Sequence, residues 1–554
     1  MNNDLTQYFS KTDLEFYRSV ESLKPRTYTG RYAMHRYWAR KPYNIVAEFI
    51  KHYSRPNEIV LDPFCGSGVT VLESLVLRRK AIAVDIDPMA TFITKVTALD
   101  ADLDEYRRAF EEIRRKVLPI IAPLYTTVCP KCGKSATILS LIWKNNNPDK
   151  KRFVCDDCGE DKSEVTQYDK EVIAKIEKSE IPYWHPRNSL MENTRINAYK
   201  GMKIPDLFSK RNQIALSVIF NAINSLPHSY AKELMKFTFT AAISQASKMV
   251  FVVRRRGRQS GSIHKTEEVG SRVIGYWIPN EHFEINAWNC FENRFRRVLL
   301  GKQETNSLIG KYYKEASTFE DLRNSANLWV LTRSATNLSG IPDESVDYIF
   351  TDPPFGDQVP YLELDALWSS WLNFKPNYDE EIVISDSPER NKNLEDYRKR
   401  LREAISEIYR VLKKDKYLSI AFYNYDLKVW HALISSCVDV GFQKVSLLPI
   451  KSSHPSIVQL YRHGGTRGAL VITFRKSIGG RRPSGVPNDI EGLVVTSVEE
   501  TIRKAGGSAT ISQVYDAIIS TLIYNDALEK EDKIDSMLRE HFGFRNGKWI
   551  AKKA

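Results

Sequence analysis

Hydrophobic and polar positions follow two spacings along this chain, and the spacing changes in blocks. Residues 14–53 carry a helical period, clearest at Ile45, Val46, Phe49 and Ile50 after Tyr43, with an interruption near Lys24-Pro25. Glu58-Ile59-Val60-Leu61 is then a short apolar run, the pattern of a buried strand. A helix bearing Val71, Leu72, Leu75 and Val76 follows, and Ala81-Ile82-Ala83-Val84 makes a second strand. Comparable runs recur at Leu328-Trp329-Val330-Leu331, at Val346-Asp347-Tyr348-Ile349-Phe350, and in residues 417–422, 445–448 and 469–474. Helical stripes separate them. One begins with Leu207, Ile214, Val218 and Leu226, a second runs from about Ala231 to Val250, and a third carries Tyr361, Leu364, Leu367, Trp368 and Trp371 on a face expected to pack under its surroundings. The most regular stripe is Leu394, Tyr397, Leu401, Ile405, Ile408 and Leu412.

Strands alternating with helices predict an α/β fold: a Rossmann-like, seven-stranded sheet ending in a hairpin and split by a long insertion. The expected divisions are residues 1–128 for the first half of the sheet domain, 129–160 for a cysteine-bearing ribbon, 161–325 for an inserted helical region and 326–476 for the second half. Residues 477–488, rich in Gly, Pro and Arg, read as a linker. Beyond them, helical patterns and a terminal Asn546-Gly547 turn between two short apolar strands predict a small winged-helix-like domain at 489–554.

At 554 residues the chain has material for several domains, and 42% hydrophobic with 27% charged residues is an ordinary globular balance. A formal net charge of +13 favours a polyanionic partner. With no run of 18 apolar residues and no charged-then-apolar leader pattern, the expectation is a soluble cytoplasmic protein without membrane contact.

Four of the seven cysteines, Cys129, Cys132, Cys155 and Cys158, form two Cys-x-x-Cys pairs, which suit a tetrahedral structural Zn²⁺. Cys65, Cys290 and Cys437 are expected to be buried fillers. Arg254, Arg255, Arg256 and Arg258 lie in an expected flexible loop, Arg254 to Ser262, suited to phosphates. Ile181-Pro182-Tyr183-Trp184-His185-Pro186 is a proline-bounded aromatic loop.

Two turns carry the candidate chemistry. The first, Asp62-Pro63-Phe64-Cys65-Gly66-Ser67-Gly68, joins a strand to a helix, and its glycines allow a ligand close to the backbone. Seventeen residues after Gly68, the next strand ends in Asp85, the spacing at which an acid grips ribose hydroxyls. The acid at Asp62 opposes a pyrophosphate and favours a cation, so S-adenosylmethionine fits better than a dinucleotide. The second turn, Asp352-Pro353-Pro354-Phe355, ends a strand, because proline lacks a ladder donor. Asp352 and the Pro353 carbonyl are placed to accept from an exocyclic amine while Phe355 covers the face of a planar base.

Asp-Pro-Phe-x-Gly-Ser-Gly followed by Asp-Pro-Pro-Phe resembles the paired motifs of the amino-methyltransferases that modify adenine N6 or cytosine N4 in DNA, and with the cysteine pairs it is similar to zinc-ribbon-containing adenine-specific DNA methylases. The resemblance implies that Asp62, Pro63, Phe64, Gly66, Ser67, Gly68 and Asp85 hold the cofactor, with Lys41 and Pro42 as an additional element and Ser334-Ala335 near the adenine. It implies catalysis by Asp352, Pro353, Pro354 and Phe355 on a base flipped from duplex DNA, in a restriction-modification or phage-defence setting that brings other subunits. Three alternatives stay open: a tRNA base N-methyltransferase, a cytosine N4 methyltransferase, whose family more often has serine at the place of Asp352, and a non-catalytic DNA-binding subunit.

Overall fold

The computed structural model describes residues 11–256, 266–424, 426–451, 468–477, 489–525, 527–528, 534–545 and 547–552. The first half of the core contains α1 (Lys11–Ser22), α2 (Tyr43–Tyr53), β1 (Ile59–Asp62), α3 (Val69–Val76), β2 (Lys80–Asp85) and α4 (Pro88–Ala98). The insertion follows with α5 (Leu103–Ile121), β3 (Thr126–Val128), β4 (Ser135–Lys144), β5 (Asn147–Cys155), β6 (Gly159–Glu164), α6 (Gln167–Glu177), α7 (Lys210–Asn224) and α8 (Tyr230–Ile243). It closes with β7 (Phe251–Arg256), β8 (Thr266–Ser271), β9 (Glu281–Ile285) and α9 (Ala287–Leu308). The core resumes with α10 (Phe319–Asn324), β10 (Leu328–Thr332), β11 (Val346–Thr351), α11 (Tyr361–Leu372), α12 (Leu394–Val411), β12 (Leu412–Phe422), α13 (Leu427–Val440), β13 (Phe442–Lys451) and β14 (Gly468–Lys476).

These core strands form one seven-stranded sheet in the order β10-β2-β1-β11-β12-β14-β13, parallel except at β14. Successive side chains of a strand point to opposite faces, and both faces are covered. Leu61, Ile82 and Ile349 join the buried residues of α12 and α13, whereas Val60, Ala81 and Tyr348 join those of α2 and α3. Order reverses between β1 and β11, so the carboxyl ends of those two strands open a crevice. Both candidate turns leave the sheet there.

The insertion is one mixed unit. Its sheet runs β6-β5-β4-β9-β7-β8, with β3 on β4, so the strands after the first cysteine pair are continued by strands more than a hundred residues later. The expected division at residue 160 therefore cuts through a sheet. Lys151, buried, donates to Asp169 and Thr127, each at 2.6 Å, and ties that sheet to α6. Arg254, Arg255 and Arg256 belong to β7, paired with β8 from Phe251↔Ser271 to Arg256↔Thr266, so the basic stretch begins as strand. Arg258 lies outside the described residues. The second helical stripe ends at Ile243 rather than Val250, where Ser247 turns its hydroxyl onto the Ser244 carbonyl at 2.8 Å.

At the carboxyl end, α14 (Ile490–Lys504), β15 (Ala509–Thr510), α15 (Ile511–Tyr524), α16 (Ile534–His541), β16 (Phe542–Arg545) and β17 (Lys548–Ala551) form a small helical unit with a three-stranded sheet. Arg545 pairs with Lys548 in the last antiparallel pair of that sheet. Of the linker, residues 478–488 lie outside the described residues. No helix among the described residues is long and apolar enough to cross a membrane.

Candidate active site

The crevice at the β1/β11 reversal is a cleft of about 870 Å³ including its mouth. Both turns line it through Asp62, Pro63, Phe64, Gly66, Ser67, Asp352 and Pro354, joined by Lys41, Asp85, Ser334 and Ala335. Residues distant in sequence therefore share one wall. The Thr351 hydroxyl donates to Asp62 Oδ1 at 2.7 Å, fastening one turn to the other.

The glycines let the turn fold back tightly on itself. Gly66 and Gly68 have φ of +49° and +78°, the left-handed region that glycine enters without a Cβ penalty. A Cβ on Gly66 would stand 2.8 Å from the Tyr37 ring, and one on Gly68 would stand 2.6 Å from the Thr94 hydroxyl. The missing Cβ atoms let the turn pack against Tyr37 and Thr94, while Gly66 also lines the cleft. The Gly66 amide donates to Asp85 Oδ2 at 2.8 Å, and the Asp87 amide donates to Asp85 Oδ1 at 3.0 Å. Asp85 thus holds the turn in shape and also lines the cleft.

Arg40 points away from the cleft's acids. It donates to Ser67 Oγ at 2.8 Å and to the backbone carbonyls of Tyr32 and His35. Pro42 starts α2 as its N-cap residue. Lys41 reaches the second turn, with Nζ 2.5 Å from Asp352 Oδ2 and 4.4 Å from the Phe355 ring centroid. The opposite oxygen, Asp352 Oδ1, is buried with no hydrogen-bond partner. An acceptor left dry in this way costs free energy until a donor arrives, about 1–3 kcal/mol for a typical group.

Phe355 is 4% exposed and packs edge-on against Phe422, with ring centroids 5.6 Å apart. Its free side is under Lys41, so a base meets the ammonium before it meets the ring. Pro353 is buried and does not line the cleft, while the Pro354 carbonyl accepts from the Tyr397 hydroxyl at 2.7 Å, fixing the turn.

Burial raises the carboxyls around this space. Asp62 is pushed up to about 7 and Asp85 to about 8, in the latter with a further contribution from Asp87. Burial pushes Asp352 up to about 6 against the opposing pull of Lys41. Asp87 and Asp365 are raised together, burial first, and Asp365 also feels the charge of Asp87.

Several lining residues were invisible as site residues in sequence. Tyr37 and Tyr361 face each other with ring centroids 6.2 Å apart, and Tyr361 and Leu362 line the cleft although α11 was expected to pack beneath it. The rest of that face, Leu364, Leu367, Trp368 and Trp371, is core. Asp87 had one available signal: an acid immediately before Pro88 marks a helix start, and it caps α4 by accepting from the Met89 amide at 2.9 Å. Glu381 comes from irregular chain after α11 and is held by buried Arg390 at 2.6 Å.

The four paired cysteines also converge. One sulfur from each lies within 4.8 Å of the others, and Cys132 and Cys155 are 3.6 Å apart. Tetrahedral thiolates at Zn–S about 2.3 Å stand about 3.8 Å apart, so the set fits such an ion. Gly133 and Gly159, at φ +73° and +75°, turn the chain after each pair. Cys65, Cys290 and Cys437 are buried apart from this group, each with its thiol raised by burial.

The mostly parallel sheet and the crevice at its order reversal define an α/β protein whose cleft lies at the carboxyl ends of β1 and β11. Residues 6–95, which carry α2, the glycine turn and Asp85, match the family described as DNA methylase. The Type II methyltransferase M.MjaII of Methanocaldococcus jannaschii is 26% identical over 106 residues, 19% of this chain and 20% of that protein, so the match spans about a fifth of the relative's length. Among solved structures, the [4+2]-cyclase SpnF (14% identity, 32% of this chain and 65% of that one) has a TM-score of 0.17. The 16S rRNA (adenine(1408)-N(1))-methyltransferase from Catenulisporales acidiphilia (11% identity, 32% and 74%) also has a TM-score of 0.17, and neither likeness carries weight.

Proposed function

We propose that the protein is an S-adenosylmethionine-dependent DNA methyltransferase acting on the exocyclic amine of a flipped-out base, adenine N6 in duplex DNA. The observation that carries this is Asp352 Oδ1, a buried acceptor without a donor at the edge of an acid-lined cleft. Asp62, Asp85 and Asp87 make the inner cleft suited to a cation and hostile to a pyrophosphate. S-adenosylmethionine, which the family implies, brings a sulfonium and an ammonium and supplies the methyl group.

The chain's own residues position the amine. Lys41 occupies Asp352 Oδ2 and leaves Oδ1 to accept an amine hydrogen, which turns the nitrogen lone pair toward the cleft. The acceptor must be ionised, and at about 6 it is so at neutral pH. A charge-assisted hydrogen bond contributes about 1.5–3 kcal/mol, whereas alignment of reacting groups supplies roughly 7–11 kcal/mol. Holding the geometry therefore outweighs polarising the amine. Because Phe355 lies under Lys41, stacking of the base on that ring requires the lysine to swing aside, and the Tyr361 ring is one of the aromatic surfaces already on the cleft.

In this reading the main sheet is a Rossmann-like methyltransferase fold, the four cysteines hold a structural Zn²⁺ in a ribbon extended into the insertion's sheet, and the carboxyl-terminal unit is winged-helix-like. Lys41, Pro42, Asp62 to Gly68 and Asp85 form the cofactor side, while Asp352 to Phe355 form the catalytic side. The setting is a cytoplasmic restriction-modification or phage-defence system with further subunits. The test is label transfer from methyl-labelled S-adenosylmethionine to duplex DNA and, in parallel, to tRNA, followed by nucleoside identification. Labelled N6-methyladenine from duplex is the expected product. Label in tRNA alone, or in neither, overturns the proposal; N4-methylcytosine corrects the target base and retains the class.

A further inference from the structure

The proline-bounded aromatic loop is not absorbed by the active site, yet it stands between two hollows outside the cleft. On one side, Trp184 joins Phe92, Phe220, Trp371 and Phe374 around a space of about 790 Å³. Trp184 is 53% exposed, while Trp371 is buried and its indole N–H has no hydrogen-bond partner. The rings are arranged as open walls: Trp184 meets Trp371 at 86° with centroids 6.2 Å apart, and Phe92 meets Phe374 at 69°. On the other side, His185 of the loop and Arg187 just after it join Lys203 and Lys210 around a second open hollow, against one acid, Glu180. Arg187 and Lys203 are exposed and make no ion pair among the described residues.

We propose that this loop and its two hollows bind a nucleic-acid strand beside the active site, the aromatic hollow taking an unpaired base and the cationic hollow taking backbone phosphates. Aromatic walls accept any base face. The adjoining uncompensated cations give the charge complementarity that a purely apolar partner would not need. Spacing agrees. From Lys210 to Phe220, α7 rises about 15 Å, the length of about four stacked nucleotides along one strand. From Tyr361, on the catalytic cleft, to Trp371 the rise along α11 is also about 15 Å, so a strand leaving the cleft reaches the aromatic hollow within a few nucleotides.

This inference rests on the reading of the protein as a DNA methyltransferase, and its test uses binding without chemistry so that the two fail separately. Anisotropy of a labelled DNA duplex carrying a short single-stranded gap, titrated with the full chain in S-adenosylhomocysteine at several salt concentrations, is the measurement. Trp184→Ala should weaken binding by about 5- to 100-fold with the salt slope unchanged, and Trp184→Phe should restore most of it. Arg187→Gln combined with Lys203→Gln should lower the slope of log affinity against log salt by about 1.4, two phosphate contacts at about 0.7 each on a single strand. S-adenosylhomocysteine affinity should stay at the wild-type value in every variant. Wild-type DNA affinity and slope in all variants would overturn the inference, as would losses confined to tRNA. Absence of methyl transfer by the wild-type protein bears on the proposed activity and leaves these binding differences to decide the surface.

Discussion

At the scale of single residues, the Lys41–Asp352 pair is the most consequential contact. Lys41 is the cation that opposes burial at Asp352, so its removal must raise that carboxyl further. Protonation takes the charge from Asp352 and leaves it a weaker acceptor for an amine, which gives the sign: activity falls as pH drops through about 6 in the wild type, and in Lys41→Met that limb moves to higher pH. A pH–rate profile under single-turnover conditions checks this, and an unmoved limb would remove Lys41 from the argument. Asp352→Asn keeps the shape and loses the charge, so the methyl-transfer rate should fall by about a hundredfold or more while S-adenosylmethionine binding, measured calorimetrically, changes little. Retained activity in that variant would dismiss Asp352 as the acceptor.

At the scale of elements, the glycine turn and the irregular strand after α11 are fixed by different means. Gly66→Ala places a Cβ 2.8 Å from the Tyr37 ring at a positive φ, so strain of about 1–2 kcal/mol adds to a clash. The expected result is a lower denaturation midpoint together with weaker cofactor binding, because Tyr37 is a wall of the cleft. Residues 375–393 have little regular structure and rely on Arg390, whose buried guanidinium contacts Glu363 at 3.0 Å, Glu381 at 2.6 Å and the Tyr378 carbonyl at 2.6 Å. Arg390→Leu strands two buried carboxylates and should cost about 3–5 kcal/mol, read as a shift in urea unfolding, with partial recovery when Glu381→Gln is added. These cases also separate what was legible in sequence from what was not. Strands such as Val346–Thr351 and the α12 stripe were legible because burial on both faces, or on one helical face, repeats within a few residues. The two turns were legible because proline and glycine state their geometry locally. Glu381 and Arg390 were not, since their pairing joins irregular chain with no periodic pattern, and neither was Tyr37, whose partner Tyr361 lies hundreds of residues away. The ribbon misled for the same reason: the cysteine spacing is local, but the partner of β4 is β9, with Ser140 opposite Ile285.

At the scale of the whole molecule, the buried acids make the empty and filled cleft differ in protonation. Folding raises Asp62 to about 7, Asp85 to about 8 and Asp352 to about 6, well above the usual carboxylate range. The folded, ligand-free protein therefore holds protons that the unfolded chain has already released, so these groups take stability away as pH rises from about 4 to 8. A bound cation reverses the effect by favouring the charged forms. Binding of S-adenosylmethionine should release protons, and its affinity should rise between pH 6 and 8 by up to about tenfold per unit for each carboxyl titrating there. S-adenosylhomocysteine lacks the sulfonium and should show a shallower rise, while Asp85→Asn should flatten the curve for both ligands. Calorimetry in two buffers of different ionisation enthalpy measures the released protons directly. Equal pH dependence for the two ligands would mean that the acids shape the turn without sensing the donor's charge. The Gly66 and Asp87 amides on Asp85 would then be the whole of its role.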